Sequence, residues 1–132
     1  MIRINIARVD EVKKMLCSCD GICDIGDYFE DLQKLGQDLK VDEIYRNLEE
    51  FCKAIASKER LIILRSLKEK DRCVCELEAI LDKSQSTISH HLRKLERANL
   101  ITSWKKGNYT YYGLKKQQLK SYLEKLNKEL EI

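Results

Sequence analysis

Residues 73–112 read CVCELEAILDKSQSTISHHLRKLERANLITSWKKGNYTYY. The stretch opens as a short helix over 73–81, with Leu77, Ile80 and Leu81 facing inward. Cys73 stands at its N-cap position with Glu76 three residues on, approximating a capping box. Asp82-Lys83-Ser84 makes a tight turn, and Ser84 is a good N-cap for a second helix. In that helix Ile88, Leu92 and Leu95 recur at i, i+4 and i+7 and pack inward. Gln85, Ser86, Ser89, His90 and Arg93 take the opposite side. Two strand-like segments follow, 100–105 and 109–114, rich in aromatic and β-branched residues. Gly107-Asn108 joins them as a two-residue hairpin loop of the kind with glycine first.

Short helix, turn, polar helix and basic hairpin in that order describe a winged helix-turn-helix, a mainly α fold with a β-hairpin wing that docks on double-stranded DNA. The second helix must lay its apolar stripe on the core and leave a small polar face for the major groove. Ser84, Ser86, Thr87 and Ser89 offer hydroxyls to phosphates or base edges, and Gln85 can pair with adenine. Arg93 and Lys94 neutralise phosphate, and Lys105, Lys106, Asn108 and Tyr109 form a basic wing tip that tracks the backbone or the minor groove. His90 and His91, the two histidines, point about 100° apart on a helix and do not share one ion. His90 faces DNA, and His91 packs at the helix edge.

Charge agrees with that reading. The net charge of +3 hides an acidic half, with seven Lys/Arg against twelve Asp/Glu in residues 1–50. Residues 83–116 carry eight Lys/Arg against Glu96 alone, a block suited to tracking phosphates. With 132 residues, 43% hydrophobic, 36% charged and no proline, the chain suits one helix-rich domain plus an appendage. The expected division is an N-terminal helical arm over 1–40 and a DNA-binding and dimerisation domain over 41–132. No apolar run approaches the roughly 20 residues that cross a bilayer, and residues 1–14 lack a signal-peptide core. The expectation is a cytoplasmic protein with no membrane partner.

Six cysteines lie at 17, 19, 23, 52, 73 and 75. In a reducing compartment they point to ligands before disulfides. Cys73 and Cys75 would splay by about 200° in a regular helix, but at a helix start both thiolates can converge. The free amides there also favour the thiolate form. Two sulfurs do not close a site. Cys17, Cys19 and Cys23 supply the missing ligands if the arm folds over, from the same chain or a partner. Such a thiolate set selects soft ions: Cd(II), Pb(II), Zn(II), or trivalent arsenic and antimony.

Elsewhere Val9, Val12, Leu16 and Cys19 mark a helix that the residues from Cys17 to Cys23 should break. Ile25, Phe29, Leu32, Leu35 and Leu39 mark another, interrupted or ended near Gly36. Ile44, Leu48, Phe51, Cys52 and Ile55 form one stripe, with Cys52 a small buried hydrophobe. Residues 58–68 are apolar on more than one side and read as the central buried helix. Leu119, Leu123, Leu126 and Leu130 stripe the last helix, and pairing with a second copy is the sharper reading of that face.

Residues 42–131 resemble the ArsR/SmtB family of metal-responsive transcriptional repressors. The resemblance rests on CVCEL at 73–77, SQSTISHHLRKLERANLI at 84–101 and KKGNYTYYGL at 105–114. It implies a homodimer joined through the helices at 42–56 and 115–131, bound to an inverted-repeat operator and released by metal. It also implies that Cys73 and Cys75 are inducer ligands, completed by arm cysteines as in the cadmium- and lead-sensing branch. The arsenic-sensing pattern carries a third cysteine where this chain has Glu78. That tilts the expectation to Cd(II) or Pb(II), with As(III) ligated through the arm left open. The zinc-sensing branch carries Asp, His, His and Glu on its terminal helix. Here Lys116 and Gln118 stand at the first two of those places, so that zinc site is not expected.

Two alternatives share the fold: a dithiol redox or persulfide sensor, and a constitutive DNA-binding protein with structural zinc in the arm. An enzyme is not expected, since no Cys-x-x-Cys, phosphate-binding glycine loop or Ser-His-acid pattern is present.

Overall fold

The computed structural model describes residues 6–20 and 25–131, which form seven helices and a three-stranded sheet. Two compact units divide the chain, Met1–Tyr45 and Arg46–Ile132.

In the first unit, α1 (Ile6–Asp20) packs on α2 (Ile25–Val41). Phe29 is buried, with the Lys13 ammonium 5.2 Å from its ring centroid. Cys17, Ser18, Cys19 and Asp20 still belong to α1, since weak helix formers cost only about 0.7 kcal/mol each, and Gly21, Ile22 and Cys23, the rest of the segment expected to break the helix, lie outside the described residues. One expectation fails here. Gly36 does not interrupt α2, which runs on to Val41. One glycine costs about 1 kcal/mol against alanine, and good helix formers flank it. The α2 stripe stays partly open, with Leu32, Leu35 and Leu39 exposed.

The boundary between the units falls inside α3 (Glu43–Ile55), whose start is capped by Asp42, with the Ile44 amide donating to Oδ1 at 3.0 Å. Within the second unit α3 buries Leu48, Phe51 and Ala54. Cys52 is exposed, against expectation. At about 100° per residue it lies a full step round the helix from Phe51. Ala54 widens the buried face on the other side.

Ser57 caps α4 (Lys58–Glu69) by accepting from the Arg60 amide at 3.3 Å. Ile63, Leu64 and Leu67 of α4 are buried, but Leu61 is exposed, so the helix is central on one side and open on the other. A two-residue strand, β1 (Arg72–Cys73), leads into α5 (Val74–Leu81), and a turn leads into α6 (Gln85–Arg97). Asp82 takes the left-handed conformation in that turn, a place its short polar side chain tolerates. Leu77 is buried in α5, but Ile80 is 43% exposed, not inward as the pattern suggested.

Asn99, also left-handed, closes α6 and is held by the Lys115 ammonium on Oδ1. The hairpin of β2 (Ile101–Lys106) and β3 (Tyr109–Leu114) then pairs Lys106 with Tyr109 across Gly107-Asn108. Gly107 has φ +64, and Asn108 is not left-handed, as a glycine-first loop requires. β1 pairs with β3, giving the order β1-β3-β2. α7 (Lys116–Leu130) is tied to α3 by Tyr122 stacked on Phe51 at 4.8 Å. Core residues Phe51, Ile63, Leu77, Ile88, Leu92, Leu95 and Leu100 are almost wholly buried, at about 1.5–3 kcal/mol each.

Candidate functional site

Burial of Ile88, Leu92 and Leu95 fixes which side of α6 faces out. With 3.6 residues per turn, Ser86, His90, Arg93 and Arg97 then lie on the opposite side, and all four are exposed. Gln85 and Lys94 flank them, exposed, and Ser89 is half-buried. Arg97 was not among the expected contacts. Its signal was available as the next step of the i, i+4, i+7, i+11 series that begins at Ser86.

Ser84 and Thr87 have other work. The Ser84 hydroxyl accepts from the Thr87 amide at 3.3 Å and donates to Thr87 Oγ1 at 3.0 Å. Its oxygen also lies 3.1 Å from Ser86 Oγ. This N-cap network sets the start of the helix, where a recognition helix meets base edges.

His91 sits at the helix edge, half-buried, as expected. The Arg60 guanidinium donates from Nη1 to His91 Nδ1 at 3.1 Å. Arg60 is itself buried, and donates to the carbonyls of Ala54 and Lys53 at the end of α3. An arginine cannot accept, so Nδ1 is the bare nitrogen of a neutral imidazole. Burial first, then the Arg60 charge, holds the His91 pKa below its usual value, against the attraction of Glu59. His90 is exposed on the outer face.

The wing projects Lys105, Lys106, Gly107, Asn108 and Tyr109, all exposed. Behind its tip Trp104 stacks on Tyr111, with centroids 6.4 Å apart and planes 18° apart. The Lys106 ammonium lies 5.9 Å from the Tyr111 centroid.

Cys73 and Cys75 meet at the junction of β1 and α5. Cys73 stays extended as the N-cap, so its side chain escapes the helical splay, and the two cysteines form a disulfide. Their Cα atoms are 5.4 Å apart, inside the ordinary disulfide range. The convergence expected for thiolates on a metal therefore also serves a disulfide, which the sequence reading had placed second. Cys73 is buried and Cys75 exposed.

Glu76 braces this junction. It accepts from the Cys73 amide at 3.1 Å and from Arg72 Nη1 at 3.3 Å. The Cys73 amide, with Arg72 and Lys70, holds the Glu76 carboxyl below the usual carboxylate range against partial desolvation. Arg72 also donates to Ser66 O at 3.2 Å and pairs with Glu69 at 3.2 Å.

Cys17 and Cys19 are exposed and free on α1. Two positions apart in a helix, they point about 200° from each other and do not converge. Cys23 lies outside the described residues. Among the described residues no group of three or more His, Cys, Asp or Glu side chains stands ready to hold a metal. The Cys73–Cys75 pair, once reduced, offers two soft sulfur donors at one point, half of a thiolate set. α7 opens with Lys116-Gln117-Gln118 and carries no histidine, so the zinc-type ligand set is missing from it.

Residues 57–103 match the family model described as bacterial regulatory protein, arsR family. The arsenical resistance operon repressor of Bacillus subtilis (strain 168) is 39% identical over 82 residues, covering 61% of this chain and 78% of that protein. The chain belongs to the ArsR family. Its members are transcriptional regulators that bind DNA through this helix-turn-helix, and not enzymes. The cadmium resistance regulatory protein CadC of Listeria innocua serovar 6a is 35% identical, over 56% of this chain and 63% of that protein. Among solved structures HlyU of Vibrio cholerae N16961 is similar with a TM-score of 0.58 and 31% identity. It covers 67% of this chain and 96% of its own. Among the described residues no helix of this ArsR-family regulator is long and apolar enough to cross a membrane.

Proposed function

We propose that this regulator binds operator DNA as a homodimer, represses transcription, and is released when a soft ion is captured by the thiolates of Cys73 and Cys75. The observation that carries the reading is the meeting of two sulfurs at the start of α5, the first helix of the DNA reader. The names of the relatives add arsenical and cadmium resistance as the setting. Cd(II) and Pb(II) are favoured, with As(III), Sb(III) and Zn(II) as the other thiophilic candidates. Cys17, Cys19 and Cys23 are the candidates to complete the set, from the same chain or a second copy. Within this proposal at most one of Cys17 and Cys19 would serve while α1 stays helical, because the helix turns the two apart.

Dimer formation is supported by the apolar side of α7, where Leu123 is 48% exposed and Leu130 62% exposed. On the operator, α6 presents Gln85, Ser86, Ser89, His90, Arg93, Lys94 and Arg97 to the major groove, with Ser84 and Thr87 setting its N-terminus. The wing brings Lys105, Lys106, Asn108 and Tyr109 to the backbone. A shift at the start of α5 misplaces α6 on both half-sites. Coupling of about 1–3 kcal/mol, or 5–150-fold, suffices to empty an operator.

The test is fluorescence anisotropy of an operator fragment with reduced protein, adding Cd(II), Pb(II), Zn(II) and As(III) in turn. Release by one ion supports the reading and identifies the inducer; unchanged binding with all four contradicts it. A second reading, favoured by the Cys73–Cys75 disulfide, is a dithiol redox or persulfide sensor on the same fold. A response to oxidant without a response to metal selects it.

A further inference from the structure

Cys73 ends β1, caps α5 and carries one sulfur of the pair. The sheet register sets it opposite Tyr111, and sets Tyr111 opposite Trp104. Side chains directly opposite across antiparallel strands share a face. Cys73, Tyr111 and Trp104 therefore form one row across the sheet. The neighbouring row, Arg72, Tyr112 and Ser103, takes the other face, where Tyr112 packs against the core.

The row is tight where it meets the wing. Trp104 stacks on Tyr111 and its ring also covers Gly113. A Cβ on Gly113 would stand 3.1 Å from that ring and 2.8 Å from Asp71 Oδ1, so Asp71 and Trp104 close over the same glycine. Asp71 directly precedes β1. When Cys73 exchanges one sulfur partner for another, its Sγ or the β1 backbone must move; β1 is paired at Cys73 with Tyr111, and Tyr111 is stacked on Trp104, so movement there bears on the packed end of the row. Gly107 lies three residues beyond Trp104, about 10 Å at the rise of a strand. A small tilt at the row becomes a displacement of Lys105, Lys106 and Asn108.

We propose that Tyr111 is a positioning residue that carries the bonding state of the Cys73–Cys75 pair through Trp104 to the wing. The relay rests on the proposed function in that the wing touches DNA, but does not depend on which ligand takes the thiols.

Trp104 is the sole tryptophan, so its emission reports the row directly. The experiment uses the full chain with Cys17, Cys19, Cys23 and Cys52 changed to Ser. The pair is reduced with a phosphine and reoxidised with diamide. Each thiol loses its proton, the sulfurs bond, and two electrons and two protons reduce the azo group to a hydrazine. The relay predicts a reversible change in Trp104 emission between the two states. Tyr111→Phe keeps the stacking ring and keeps the change. Tyr111→Leu still forms the disulfide, shown by its mass, but loses the emission change and the difference in operator affinity between states. Unchanged Trp104 emission in the parent chain, with the disulfide confirmed, overturns the relay, and that readout stands even if Tyr111→Leu fails to fold. A folded Tyr111→Leu with the full emission change also overturns it. An emission change here, together with an unsubstituted reduced chain that Cd(II) does not release, supports the relay and contradicts the metal reading.

Discussion

The two helices of the reader are built to different standards. α6 has three buried side chains spread over its 13 residues, a serine cap with a hydroxyl network, and a neutral histidine bonded to buried Arg60. α5 has eight residues, a cysteine cap braced by Glu76, and Leu77 as the side chain it buries among the described residues. The contrast teaches where a signal can enter. α6 is held by three fully buried side chains and its cap, whereas α5 buries Leu77 fully, packs Val74 and Leu81 part-buried against the core, and begins at the junction that carries the sulfurs. In the proposed function a perturbation at Cys73 would be taken up by α5 and β1 before it reached α6.

The most forceful way to break the comparison is at Leu77. Leu77→Ala should cost about 2–5 kcal/mol in denaturant unfolding, the range for a buried leucine. Its effect should concentrate in α5, seen as hydrogen exchange rising there ahead of α6. Ser84→Ala comes next, at about 1 kcal/mol for a lost N-cap. It should weaken operator binding without changing the response to metal, because it frays the reader and leaves the sulfurs alone.

A smaller effect should come from pH. The His91 pKa is depressed in the fold, so the unfolded chain binds more protons as pH falls below the ordinary value of about 6.5. The stability contributed by neutral His91 is full above that value and is lost as pH falls toward and through the folded value. His91→Gln should flatten this part of the stability curve in denaturant melts. Ile80→Ser should matter least, at about 1 kcal/mol or below, because Ile80 is 43% exposed and outside the buried core.

Much of this asymmetry was legible in the residues. The 88/92/95 period and the serine at 84 specify α6 through local rules, and Gly107 specifies the wing turn through its positive φ. β1 was not legible: two residues show no alternation, and their pairing with Tyr111 and Tyr112 is a long-range contact that no local pattern announces. The misplacement of Cys52 and Ile80 has a related cause, since apolar residues at the edge of a stripe go in or out according to neighbours such as Ala54. Cys17 and Cys19 looked like loop ligands because their segment is poor in helix formers, yet neighbouring turns carried the helix through them. The Cys73–Cys75 convergence was legible as geometry, whereas the bond between the sulfurs was not, because metal and disulfide ask for the same approach.

The most direct test of the account is a Cd(II) titration of reduced protein on operator DNA by fluorescence anisotropy, run in parallel on the parent chain and Cys73→Ser. The account predicts equal affinity without metal, release of the parent by about 5–150-fold in affinity, and no release of Cys73→Ser. A Cys73→Ser protein that Cd(II) releases as fully as the parent would contradict the claim that the start of α5 is the trigger.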